Sequence, residues 1–560
     1  MLGADRASLA SWRVAALGRA VGAFALYAVA SVLLLGRHAV SDMGHVCTCL
    51  GGGGDPPTYM WALRWWPHSL THGLNPLFTH VAWSPVGVNV AAAPMIPLPS
   101  MLLWPLSAAF GLLPAYDLLT LLSPAVAATA MYLLCEHLTR STLPALVGGW
   151  LYGFSSYELS ELVGHANLML IALPPLAVLA VLLRLERRIG RAAFIAAAAG
   201  LIAAQLLTSS ELLATSCAFG ALAFAVAWLA LAPAQRAGVG EVFRETIAAG
   251  LLAALITSPY LYYSLIRARP GPQPGAATTL VSDLAGLVVP TRVTLVQYAQ
   301  GTAARLPGNI AEQGAYFGIP LICAFAAALW ALRRTPAARV LAAVAALGLL
   351  LSFGSRLSVA GQGTLPLPWK VVEHLRIANA LVPDRIVLFT WFALALAVAL
   401  WLAAPGRFKL ARWALVLAGV ALILPAPATL SRPDLPALFA GSSYKRVLAP
   451  GSVVLALPYG YHGYSMLWQA TTGFAFRMPE GNLSSVPPLR FRRDLTVARL
   501  LANPPLPVST AELGAFLRRY RVSTVIVDQL APEAWPAQLA ALGLTGRPQQ
   551  GAIVYQVNGL

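Results

Sequence analysis

Only 21 of the 560 residues are acidic, so an acidic side chain outside an apolar segment is a candidate for chemistry. Asp55 is the one acidic residue in the stretch GGGGDPPTYMWALRWWPHSLTHGLNPLFTHVAWSPVGVNVAAAP (51–94), which is dense in Trp, His, Pro and Gly. A structureless loop of roughly 40 residues is uncommon unless it is functional. A carboxylate placed there can take a proton from an attacking hydroxyl. A second group follows in FSSYELSELVGHANL, with Glu158, Glu161 and His165, and Glu211 comes directly after Ser209 and Ser210 at the edge of an apolar segment. These read as binding groups for donor or acceptor facing a polar cavity. Arg292, Arg376 and Arg385 are the cations of the later loops. A guanidinium is a planar fork that fits a departing phosphate. Together the types suit a group transfer with Asp55 as base and phosphate as leaving group.

Each residue also has a plainer use. Asp followed by Pro is a good N-cap and first-turn pair, so Asp55 can begin a helix at Pro56. Glu158 and Glu161 can be solvated loop charges. Arg292, Arg376 and Arg385 can pair with Asp283, Glu373 and Asp384. Trp61, Trp65 and Trp66 fit interfacial anchoring better than sugar stacking. The H-x-C-x-C of His45, Cys47 and Cys49 lacks the second ligand pair of a structural zinc site, and HSLTH (His68, His72) lacks the Glu of HExxH. No metal site and no cofactor is expected.

The elements that position these groups follow from composition. Apolar residues make up 58% of the chain and charged residues 11%, against about 25% charged in a soluble domain. Most of the chain belongs in lipid. The net charge of +17, carried mainly by Arg, is accounted for by the positive-inside rule and anionic headgroups; no nucleic-acid motif accompanies it. Apolar segments recur at about 20–36, 115–135, 143–157, 165–184, 192–208, 212–231, 247–265, 315–332, 337–353, 384–404 and 411–428. Arg6, Arg13 and Arg19 precede the first, which reads as a retained anchor with a cytoplasmic N-terminus. Reading 97–114, interrupted by Pro99 and Pro105, as a membrane-surface helix puts LERRIGR (185–191), ALRRTPAAR (331–339) and PGRFKLAR (405–412) on the cytoplasmic side. About eleven spans result, with 37–114 as a first external loop and the chemistry outside.

After residue 428 the apolar character drops. LALPYG, STVIVD and AIVYQV read as strands, and TAELGAFLRRY (510–520) has helical periodicity. The expected architecture is a polytopic α-helical membrane domain over 1–428 and a small extracytoplasmic α/β domain over 429–560. No nucleotide-binding fingerprint is present. An external active site without soluble nucleotides needs a donor delivered through the lipid, and a polyprenyl-phosphate sugar meets that need.

The residues already quoted, followed by SDLAGLVVPT, EQGAYFGIP, LSFGSRL and PDRI, resemble the bacterial GT-C superfamily of membrane glycosyltransferases, in particular YfhO-like proteins with a C-terminal extracytoplasmic domain. The resemblance covers most of residues 20–400 and rests on the order of loose motifs; ALPYGYHGYSMLWQATTGF (456–474) extends it into the C-terminal domain. It implies a catalytic acid in the first external loop, at the position of Asp55, membrane-surface helices in that loop and a polyprenyl-phosphate-sugar donor. The DE or DD pair of some members is not matched, because Pro56 follows Asp55. The expected function is sugar transfer by inverting displacement to a cell-envelope glycan or lipid acceptor, at the outer face of the bacterial cytoplasmic membrane. The alternatives are a flippase or transporter of lipid-linked glycan, and a non-catalytic relative acting in envelope assembly.

Overall fold

Helices form wherever the apolar runs are long. The computed structural model describes residues 2–49, 54–268, 276–373, 381–483, 486–528, 531 and 534–557. Among the described residues, four helices are long and apolar enough to cross a bilayer: Leu17–Gly36, Leu112–Thr139, Ser210–Ala230 and Pro383–Ala403. Leu173–Leu185, Arg191–Leu206, Ile319–Leu332 and Pro336–Ser352 are apolar but shorter. A multi-pass membrane protein follows from these helices; a count of eleven spans does not. Pro97–Leu102 and Trp104–Phe110 are two short helices separated at Leu103. The segment expected at 247–265 differs. Its helix starts earlier, over Pro233–Ile256, because the charge it brings is neutralised: Arg184 Nε and Nη2 each donate to buried Glu245 at 2.8 Å.

The chain divides into two compact units. The first comprises Met1–Ser41, Leu118–Thr257 and Pro272–Ala428. Its centre is the helix Leu388–Ala403, buried along nearly its whole length and packed against Thr142–Gly153 and Pro336–Ser352. Close approach is possible because Thr142–Gly153 presents glycines. A Cβ at Gly148 would stand 3.0 Å from Ala399 Cβ of Leu388–Ala403, and one at Gly149 would stand 2.6 Å from the Ala128 carbonyl of Leu112–Thr139. Small residues at helix contacts are the usual means of tight packing in lipid.

The second unit comprises Asp42–Asp117, Ser258–Gly271 and Thr429–Leu560. The first loop and the C-terminal domain therefore pack together. Their framework is a four-stranded sheet in the order Val454–Leu457, Thr524–Asp528, Ala552–Gln556, Gly546–Gln549. The first pair is parallel, with Val454 opposite Thr524, and the other two are antiparallel. Both strands of the parallel pair are buried throughout, as expected of a strand covered on both faces. Helix Thr510–Arg519 buries Leu513, Phe516 and Leu517 on one face. A capping box between Ser509 and Glu512 fixes its start. Helix Pro56–Thr71 packs on Ser465–Thr471 and on Pro97–Leu102.

Buried carboxyl groups give this unit a pH dependence. Burial pushes Glu480 up to about 8, against the N–H groups of Gly460 and Ala456 that donate to it. Burial and the facing Asp528 push Asp434 up to about 8 as well. The unfolded chain releases both protons near the ordinary carboxylate range, roughly pH 4, while the folded unit keeps them. The folded state therefore binds more protons in this window, and its stability falls as pH rises from about 4 to about 8 and levels off above that. In the full chain, hydrogen-exchange protection of Val454–Leu457, corrected for intrinsic rates, should be lower at pH 9 than at pH 6. Glu480→Gln should flatten the difference; protection that rises with pH would refute the assignment.

Candidate functional site

Asp55 lies in the second unit at the position that starts helix Pro56–Thr71, with Pro56 and Pro57 in its first turn. The backbone meets the expectation for a helix start, since Thr58 and Tyr59 N–H groups donate to the Asp55 carbonyl at 2.9 and 3.1 Å. The side chain does not: it makes no cap hydrogen bond. Its Oδ1 instead accepts from Asn482 Nδ2 at 3.1 Å, and the same nitrogen donates to the Gly54 carbonyl at 3.3 Å. Asp55 is exposed, and the phenol of Tyr116 lies within its electrostatic reach. A carboxylate so held is oriented by an amide and open to solvent, which suits it to accept a proton.

The helix that carries Asp55 is fixed by its aromatic face. Trp61, Trp65 and Trp66 are 0%, 1% and 6% exposed, so the expected interfacial anchors are core residues. Trp61 and Trp65 stack at 5.0 Å, with Phe474 edge-on to both. Every indole N–H of the three has an acceptor: Gln469 Oε1, the Pro76 carbonyl and the Met95 carbonyl. The loop reads as interfacial in sequence only because its partner helix, Ser465–Thr471, lies about 400 residues later. His68 and His72 stack at 4.1 Å, and burial, then His72 and Arg64, lower His68 to about 4. Cys47 and Cys49 form a disulfide, and His45 bonds Asp42 at 3.1 Å. Among the described residues no group of three or more His, Cys, Asp or Glu could hold a metal ion.

Six of the other expected residues lie among the described residues of the first unit, and four of these meet in one ionic chain. Glu161 Oε2 pairs with His165 Nδ1 at 2.6 Å, and His165 lies 3.9 Å from Glu312. Glu312 takes Arg385 on two edges, from Nε at 3.2 Å and Nη2 at 2.6 Å. On its other side Arg385 Nη1 donates to Glu211 at 2.7 Å. Glu161 and Glu312 are buried, whereas the Glu211, Arg385 and His165 side chains are 18%, 14% and 14% exposed. Arg385 therefore pairs with Glu211 and Glu312, and Asp384 is occupied by Ser282 at 2.6 Å and by the Gly314 N–H at 3.2 Å. Glu158 stands apart from the chain: it is fully buried, accepts from Ser123 at 2.9 Å, and its second oxygen has no partner among the described residues.

Arg292 is exposed. The Asp283 expected to pair with it is bound instead by Ser358 and by the N–H groups of Ala285, Ala360 and Gly361. Arg376 lies outside the described residues. Sequence reasoning missed Glu312 as a member of the cluster. It was visible in EQGAYFGIP, but a lone acid in a loop says nothing of its partner.

No family model and no curated protein matches the sequence. Solved structures do match the fold. Arabinofuranosyltransferase AftD from mycobacteria superposes with a TM-score of 0.58 at 15% identity, over 97% of this chain and 40% of its own. The archaeal oligosaccharyltransferase AglB from Archaeoglobus fulgidus, in complex with an inhibitory peptide and a dolichol-phosphate, gives 0.50 at 12% identity, over 96% of this chain and 74% of its own. The chain thus spans only 40% of the length of AftD. At these identities the likeness is one of architecture alone.

Proposed function

We propose that the protein transfers a sugar from a polyprenyl-phosphate donor to a cell-envelope acceptor on the extracytoplasmic face, with inversion and with Asp55 as general base. The observation that carries this reading is the Asp55 carboxylate, which occupies a helix start without capping it and is exposed under the control of Asn482. The fold adds the class of reaction. In the step, the acceptor oxygen bonds to the anomeric carbon as its proton passes to Asp55. The bond from that carbon to phosphate oxygen breaks, and polyprenyl phosphate leaves with the electron pair. Transfer of labelled sugar from a synthetic polyprenyl-phosphate donor to envelope extract is the test, with Asp55→Asn as the inactive control.

The orientation is part of the proposal. A disulfide at Cys47–Cys49 supports an oxidising, external environment for the first loop, since disulfides persist there and not in the cytosol. His72 and Arg407 are both exposed. A cysteine at His72 should react with an impermeant thiol reagent in intact cells, and one at Arg407 only after permeabilisation. The reverse pattern would overturn the arrangement.

A further inference from the structure

Sugar transfer at Asp55 leaves one strongly charged surface of the second unit unused. Arg490, Arg492 and Arg493 lie on one segment and Arg518, Arg519 and Arg521 on another, all exposed. Arg490, Arg493 and Arg519 line a single open groove of about 570 Å³, together with Leu489, Asp494 and Tyr520. Two of these cations are held in place. Arg519 Nη1 donates to the buried Asp494 at 2.6 Å, and the Tyr520 hydroxyl donates to the same carboxylate oxygen at 3.0 Å. The Arg490 guanidinium lies over the Tyr520 ring at 5.7 Å, and that ring is stacked on Phe491 at 4.4 Å with 10° between planes. The third, Arg493, is exposed.

Planar guanidinium forks recognise carboxylates and phosphates by geometry as well as charge, and fixing them beforehand lowers the entropy lost on binding. An anionic bilayer is attracted by charge density near its surface, which requires neither a concave site nor locked forks. Leu489, half exposed at the groove, offers an apolar contact for the C–H face of a sugar ring. We propose that this groove binds an acidic glycan, one that carries carboxylate or phosphate groups, and that it thereby selects the acceptor. The second clause rests on the transferase reading; the binding itself does not.

The experiment uses the full chain in phosphatidylcholine nanodiscs, titrated with oligogalacturonate and with a neutral dextran oligosaccharide of matched length, without any donor. Oligogalacturonate should bind saturably and more weakly as salt rises, and dextran should not bind. The double variant Arg490→Gln/Arg493→Gln should lose about tenfold or more in affinity. Arg518→Gln/Arg521→Gln removes the same charge outside the groove lining and should keep most of it. Equal binding of the two saccharides would overturn the proposal, as would an equal loss in both double variants. So would a groove variant that keeps its oligogalacturonate affinity but no longer binds phosphatidylglycerol vesicles, since the surface would then serve the membrane. A transferase assay that fails while oligogalacturonate binding holds would reject the Asp55 reading and leave the groove intact.

Discussion

Arg385→Met should unfold or severely weaken the first unit. The guanidinium is the only cation that joins Glu211 to Glu312 among the described residues, and Glu312 is 2% exposed. Removing one partner of a buried ion pair typically costs about 3–5 kcal/mol, because the remaining charge is left desolvated. Thermal unfolding in detergent should show a large drop for Arg385→Met and a smaller one for Arg385→Lys, whose single ammonium cannot take Glu312 on two edges. Arg385→Met combined with Glu312→Gln should recover part of the loss, since the second change discharges the stranded carboxylate. An Arg385→Met protein as stable as the wild type would mean that the cluster is solvated and that its burial carries no structural weight.

Asp55→Asn should fold normally and lose about 10²–10⁴-fold in turnover, the usual contribution of general-base catalysis. Binding of the lipid donor should survive, because the base acts on the acceptor hydroxyl and not on the donor phosphate. Asp55→Glu separates the chemical role from a structural one. Its added methylene moves the carboxylate by about an ångström, and a misplacement of that size can cost roughly 10²-fold. Asn482→Ala should act in the same direction with a smaller effect, since it removes the amide that orients Oδ1. If Asn and Glu at position 55 both retain full transfer, the base is another carboxylate, and Glu161 and Glu158 are the next to test.

What the sequence revealed follows the range of the interactions involved. The helix Thr510–Arg519 was legible because Ser509, Glu512 and the Leu513–Phe516–Leu517 spacing are all local. The buried strands Val454–Leu457 and Thr524–Asp528 were legible as short apolar runs, whereas Gly546–Gln549 (GRPQ) was not, because an edge strand held only by its neighbour needs no apolar pattern. Asp55 stood out by isolation in a polar loop, but its bond to Asn482 joins residues remote in sequence and was not legible. The Trp face of Pro56–Thr71 was misread for the same reason: an aromatic stripe looks alike whether lipid or a distant helix covers it. In the first unit the sequence named Glu161, His165, Glu211 and Arg385 but paired Arg385 with Asp384. Adjacent residues on a helix point away from each other, so the true partners are the distant Glu211 and Glu312.

The central claim is that this chain breaks the bond between a sugar and a lipid phosphate with help from Asp55. Release of polyprenyl phosphate from a purified polyprenyl-phosphate sugar, followed by mass spectrometry in the presence of envelope extract, tests it most directly. The account predicts release by the wild-type protein, matched by glycosylated acceptor of inverted anomeric configuration, with both products reduced about 10²–10⁴-fold in Asp55→Asn. Equal release by wild type and Asp55→Asn, or product that retains the donor's configuration, would contradict it.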